Sequence, residues 1–143
     1  MNPYSFAPVV LCVAASSALA TNPLCNQHTT EGSWMYTCEG TLPAPAQTST
    51  RILGSCKSSR SGFFSCHGTV NLGGQIISQG LEGQANTLPN CTGTISYDQM
   101  LGGAYAGKLD IQYVIYGDGN SISGLPVNSG GVLSCSLKRI EKD

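Results

Sequence analysis

Glu39 and His67, taken with Arg51 or Arg60, are the residue types that proton transfer and phosphate binding require. A carboxylate and an imidazole can pass a proton near neutral pH, and a guanidinium can grip an anion with two parallel hydrogen bonds. Glu39 and His67 occupy the same place in a pentapeptide that occurs three times: Cys38-Glu39-Gly40-Thr41-Leu42, Cys66-His67-Gly68-Thr69-Val70 and Cys91-Thr92-Gly93-Thr94-Ile95. Alternate side chains of a strand face opposite ways, so the Cys, Gly and aliphatic residues share one face and the variable residue and Thr share the other. The apolar set belongs inside. Glu39 with Thr41, His67 with Thr69 and Thr92 with Thr94 then face out. Were the three copies side by side in register, neighbours would stand about 4.8 Å apart, and Glu39, His67 and Thr92 would form a row beside a threonine ladder. The same positions also read as ordinary solvent-facing strand residues, because threonine is a good strand former.

A second candidate is the segment between Cys56 and Cys66. Lys57, Arg60 and Phe63 lie on a turn rich in Ser and Gly. Phe63 and Phe64 point to opposite faces of a strand, so one of them can be exposed. An exposed aromatic beside Arg is the chemistry of a protein-binding hot spot. Trp34 and Tyr36 share the inward face of Cys38 and read as core, while Tyr116 leans outward as a stacking candidate. Asn90-Cys91-Thr92 matches the N-glycosylation pattern, with a cysteine in the middle.

Several chemistries find no support. The chain has no P-loop, no Gly-x-Ser-x-Gly elbow, no His-Glu-x-x-His and no calcium-loop pattern. No cysteine pair has the short spacing that zinc sites favour, so no metal and no cofactor is expected. Seven basic and eight acidic residues are scattered. Nucleic-acid binding through counterion release requires clustered Lys and Arg, and no nucleic acid is expected as a partner.

The elements that would position these residues begin with an export signal. Residues 1–20 carry no charged side chain, run apolar from Phe6 to Ala15 and end in Ala18-Leu19-Ala20, a signal-peptidase pattern with cleavage after Ala20. The run is shorter than the roughly 20 residues a bilayer needs, so no stable membrane span remains after its removal. Residues 21–143 form one expected domain. It keeps Cys25, Cys38, Cys56, Cys66, Cys91 and Cys135, an even set that reads as a disulfide framework in an exported chain. Proximity along the chain favours Cys25–Cys38, Cys56–Cys66 and Cys91–Cys135.

Helical periodicity is absent, and short alternating runs are common. Lys108–Tyr116 is the clearest, with Leu109, Ile111, Tyr113 and Ile115 on one face. Further strands are expected at Ser33–Leu42, Arg51–Cys56, Phe63–Leu72, Gln75–Gln79, Cys91–Tyr97 and Val132–Ile140. Tyr97–Gly107 reads as a loop or weak strand, and Gly124-Leu125-Pro126 as a break. The expected fold is all-β: a small disulfide-stapled sandwich or barrel of about seven short antiparallel strands.

The leading expectation is a small secreted binding protein, of effector, defence or inhibitor type. It would act outside the cell, or in the periplasm of a bacterium, on an extracellular carbohydrate or protein. Lys57, Arg60, Phe63, Glu39, His67, Thr69 and Thr92 are its candidate contacts. Ser33–Gly40 is similar to the Tyr-x-Cys opening of periplasmic lysozyme inhibitors, and that short likeness carries over no site. Two other classes stay open. One is a wall or coat component that self-associates through sheet edges. The other is a small hydrolase using Glu39 and His67, as secreted ribonucleases use a Glu, His and Arg set.

Overall fold

A computed structural model describes residues 24–42 and 48–142. The proposed signal peptide lies outside the described residues. A 3-10 helix (Gln27–Thr30) precedes eight strands: β1 (Gly32–Thr41), β2 (Ser49–Ser58), β3 (Phe63–Leu72), β4 (Gln75–Thr87), β5 (Thr92–Leu101), β6 (Ala104–Tyr116), β7 (Ser121–Pro126) and β8 (Val132–Glu141). Each strand pairs with the next, antiparallel, and β8 closes on β1, so the sheet is a barrel rather than a sandwich. The expectation of about seven strands was short by one. β7 contains the Gly124-Leu125-Pro126 sequence that reads as a break. Ile111 Cγ2 lies 2.8 Å from where a Gly124 Cβ would sit. Tyr97–Gly107 is not a loop: it is the end of β5, a tight turn at Gly102-Gly103, both at positive φ, and the start of β6.

The binary pattern explains the closure. Trp34, Tyr36 and Cys38 turn inward from β1, Phe64, Cys66 and Val70 from β3, Ile95 and Tyr97 from β5, and Tyr113 and Ile115 from β6. An eight-stranded barrel is just wide enough for side chains to fill. Large residues here interlock with glycines. A Cβ at Gly54 or Gly68 would run into the Tyr36 ring or hydroxyl, and one at Gly93 into the Tyr113 hydroxyl. This accounts for the repeated pentapeptide. Its glycine is the small partner that admits an aromatic ring at Gly68 and Gly93 and the adjacent β8 backbone at Gly40, and Cys38, Cys66, Val70 and Ile95 are buried beside it.

Three bridges are present, and two differ from those that chain proximity favours. Cys56–Cys66 is as expected, across the β2 and β3 pair. Cys38 bonds to Cys135, not Cys25, because closure sets β1 against β8 with those two residues directly opposite. Cys25 bonds to Cys91, tying the N-terminal segment to the connection between β4 and β5. That segment plugs one end of the barrel. Trp34 Nε1 donates to Thr30 O at 2.8 Å. The Arg139 guanidinium lies 4.2 Å from the Trp34 ring centroid and donates to the carbonyls of Thr29, Glu31 and Gly119. Three bridges are consistent with an oxidising compartment. Among the described residues no helix is long and apolar enough to cross a membrane.

Candidate functional site

The interior offers little room. The void among Tyr36, Gln79, Leu81, Tyr97, Pro126 and Leu133 is about 30 Å³, near one water's share of the liquid and far below the few hundred Å³ of a small-molecule site. Its walls are apolar apart from a buried hydrogen bond, Tyr36 Oη donating to Gln79 Oε1 at 2.9 Å. Burial pushes the Tyr36 hydroxyl up to about 12. Tyr97 is also raised, by burial first and then by its neighbours Tyr36 and Tyr113. Phenols so placed stay neutral and act as packing groups.

The outer wall is different. A cleft of about 560 Å³ lies across β8, β1, β2 and β3. Strand register builds it as two rows. Ser134, Glu39, Arg51 and Asn71 stand side by side in the first, and Ser136, Thr37, Leu53 and Thr69 in the second. Thr37 and Ser136 share a hydrogen bond of 3.2 Å. Leu53, near the middle, is 58% exposed. Towards the β7 end the cleft continues into a second hollow of about 400 Å³ that reaches Leu125 and Val132. Pairing between β7 and β8 stops at Gly124 and Cys135, which leaves the wall open there. Glu39 and Arg51 are direct cross-strand neighbours. Among the described residues neither side chain makes an ion pair or a hydrogen bond; the ion pair present there is Lys108–Asp98, at 3.4 Å on another part of the surface. A carboxylate and a guanidinium therefore stand open, with hydroxyls on both sides and an apolar centre. They can accept and donate hydrogen bonds to one ligand at once.

Of the residues singled out from sequence, Glu39, Arg51 and Thr69 reach this cleft. His67 lies on the same outer face but one row further down β3, opposite Ser55, which is opposite Met35. Two strands across and four residues along place Glu39 and His67 roughly 16 Å apart. The expected row of Glu39, His67 and Thr92 does not form, because β2 separates β1 from β3 and β4 separates β3 from β5. The three copies of the pentapeptide sit on alternate strands. A shared proton-transfer site for Glu39 and His67 is thereby overturned. Closure also pairs each strand on both sides and removes most of the free sheet edge on which self-association would rest.

Lys57, Arg60 and Phe63 lie at the β2 to β3 turn, near the plugged end. Phe63 is 44% exposed and Phe64 fully buried. The Arg60 carbonyl meets His28 Nδ1 at 2.9 Å, which fixes the turn against the N-terminal segment. Thr92 faces away, on β5, where its hydroxyl donates to Asn90 Oδ1 at 2.7 Å. Sequence reading missed Thr37, Leu53, Asn71, Ser134 and Ser136 as site residues. Each is an ordinary strand residue, and only cross-strand register brings them together.

No protein-family model matches the chain, and no curated protein matches its sequence. Among solved structures it is similar to a redesigned β-barrel, mFAP1, bound to DFHBI: TM-score 0.53 and 16% identity, over 80% of this chain and 98% of that one. EF1p2_mFAP2b bound to DFHBI follows at 12% identity and TM-score 0.49, over 80% of this chain and 99% of that one. At such identity the first likeness supports the barrel fold alone.

Proposed function

We propose that this protein is a small secreted binding module whose outer wall at β8, β1, β2 and β3 takes an extracellular carbohydrate. The observation that carries this reading is the open Glu39 and Arg51 pair, cross-strand neighbours with no partner of their own, in a hydroxyl-lined cleft. Sugar hydroxyls donate to a carboxylate and accept from a guanidinium. The C–H face of a pyranose ring has an apolar counterpart in Leu53. The filled interior argues against a carrier that encloses its ligand. The export signal read from sequence and the three bridges agree with work outside the cell. No cofactor enters this reading.

The test is retention of the oxidised, secreted protein on insoluble chitin, cellulose and β-glucan, each competed by its own soluble oligosaccharide. Retention on one of them is expected. The Glu39→Gln and Arg51→Met variants should each weaken it about tenfold, the equivalent of about 1.4 kcal/mol, with unchanged thermal unfolding. No retention on any polysaccharide, or retention indifferent to both variants, overturns the proposal. A protein-binding reading rests on the exposed Phe63 beside Arg60. It would show instead as capture of one extracellular protein, lost on Phe63→Ser and unaffected at Glu39.

A further inference from the structure

The Asn90-Cys91-Thr92 motif is not absorbed by the cleft, and its geometry is specific. Asn90 is exposed in the connection between β4 and β5. Its Oδ1 accepts from Thr92 N at 3.1 Å and from Thr92 Oγ1 at 2.7 Å. With the oxygen held by two donors, the amide nitrogen is left free of protein partners among the described residues. Cys91, between them, is the most constrained residue of the turn. It adopts a left-handed backbone at φ 66, and its sulfur is bonded to Cys25. Its N–H donates to Leu88 O at 3.0 Å and its carbonyl accepts from Ile115 N at 2.8 Å.

We infer that Asn90 is an N-glycan acceptor whose occupancy is set by competition with closure of the Cys25–Cys91 bridge. In the transfer, Asn90 Nδ2 forms a bond to the anomeric carbon of a lipid-pyrophosphate-linked oligosaccharide. The bond from that carbon to the pyrophosphate oxygen breaks, the lipid pyrophosphate leaves with the electron pair, and the Nδ2 proton passes to a base of the transferase. The transferase must draw the acceptor tripeptide out of its surroundings. Once Cys91 is bonded to Cys25 and hydrogen-bonded on both sides, the tripeptide is fastened to the barrel and cannot follow. Modification therefore precedes the bridge, and chains whose bridge closes first stay bare. The partner half-cystine lies N-terminal, so it is already in the lumen when Cys91 arrives. The glycan would not obstruct the proposed carbohydrate cleft, since β5 is across the ring from β1 and the Asn90 turn is at the plugged end.

The test is expression of the full chain in a eukaryotic secretory cell line. Total protein is then treated with an amidase that releases N-glycans and converts the bearing Asn to Asp. Two bands are expected, the upper collapsing onto the lower, with Asp at position 90 in the mapped peptide. Asn90→Gln and Thr92→Ala should each leave the lower band alone. Cys25→Ser should shift the population to the upper band, and so should brief exposure of the living cells to dithiothreitol, which does not depend on a variant folding. A single bare band, from cells that glycosylate a control secreted protein, overturns the site. An upper fraction indifferent to both Cys25→Ser and dithiothreitol overturns the competition.

Discussion

Removing the two barrel-wall bridges one at a time separates the contribution of closure from that of local stapling. Cys38–Cys135 joins the first strand to the last across 97 residues, whereas Cys56–Cys66 joins neighbours across 10. Both are directly opposed cross-strand pairs with buried sulfurs. Replacing either pair by alanine removes a similar inward-facing volume, so packing losses largely cancel in the comparison. The difference lies in the unfolded chain. Loop-closure entropy is worth about 4.7 kcal/mol for a loop of about 100 residues and, by the same logarithmic relation, about 2.8 kcal/mol for one of about 10. Routing the long loop through the intact Cys25–Cys91 bridge shortens it but leaves it several-fold longer than the other. The Cys38→Ala, Cys135→Ala variant should therefore lose about 1.5–2 kcal/mol more than the Cys56→Ala, Cys66→Ala variant. In urea unfolding followed by tyrosine and tryptophan fluorescence, that gap separates the midpoints by on the order of 1 M. Equal midpoints, or a lower one for the Cys56 and Cys66 variant, would refute the assignment of the larger stabilisation to barrel closure.

Three further outcomes follow from the interior and the plugged end. Tyr36→Phe deletes a buried donor and strands Gln79 Oε1, so stability should fall by about 1–3 kcal/mol in the same urea assay; a neutral effect would show that Gln79 finds another donor. Alkaline pH should unfold the barrel. Burial raises Tyr36 from 10.0 to about 12 and also raises Tyr97 and Tyr113. The unfolded chain then gives up these protons first, so the contribution is intact below about pH 10 and is lost as pH climbs towards 12. Tyrosinate absorbance equal to that of the fully unfolded chain, with no loss of near-ultraviolet dichroism, would contradict this. Arg139→Met removes the cation over Trp34 and the donor to three carbonyls. It should lower stability by about 1.5–3 kcal/mol and speed amide exchange in residues 26–31, and unchanged exchange there would show that the Cys25–Cys91 bridge alone holds the segment.

Much of the architecture is written in local alternation. Phe63–Leu72 was legible to the residue as β3, because Phe64, Cys66 and Val70 alternate with polar neighbours. Lys108–Tyr116 was legible as the core of β6 for the same reason. The inward turn of Cys38 on β1 and Cys66 on β3 also follows from period-2 geometry, whereas Cys91 lies just before β5 with a left-handed backbone. Alternation failed where glycine and proline serve the barrel's curvature rather than a turn. Gly80 and Gly83 hid the second half of β4, and Gly124-Leu125-Pro126 hid β7 altogether. At Gly83 a Cβ would run into the Ser96 backbone of the adjacent strand β5, a demand that no local window of sequence contains.

By itself, then, the sequence determined which residues face in, that the chain is all-β and that its cysteines form a framework. Each of these depends on neighbours one or two positions away. That β8 lies beside β1 was decided only by closure, since register between them depends on residues about a hundred positions apart. The intervening β2 keeps Glu39 away from His67, and that single contact between β1 and β8 chose Cys135 over Cys25 for Cys38. It also set Ser134 and Ser136 beside Glu39 and Thr37, making a cleft out of residues that no local pattern connects.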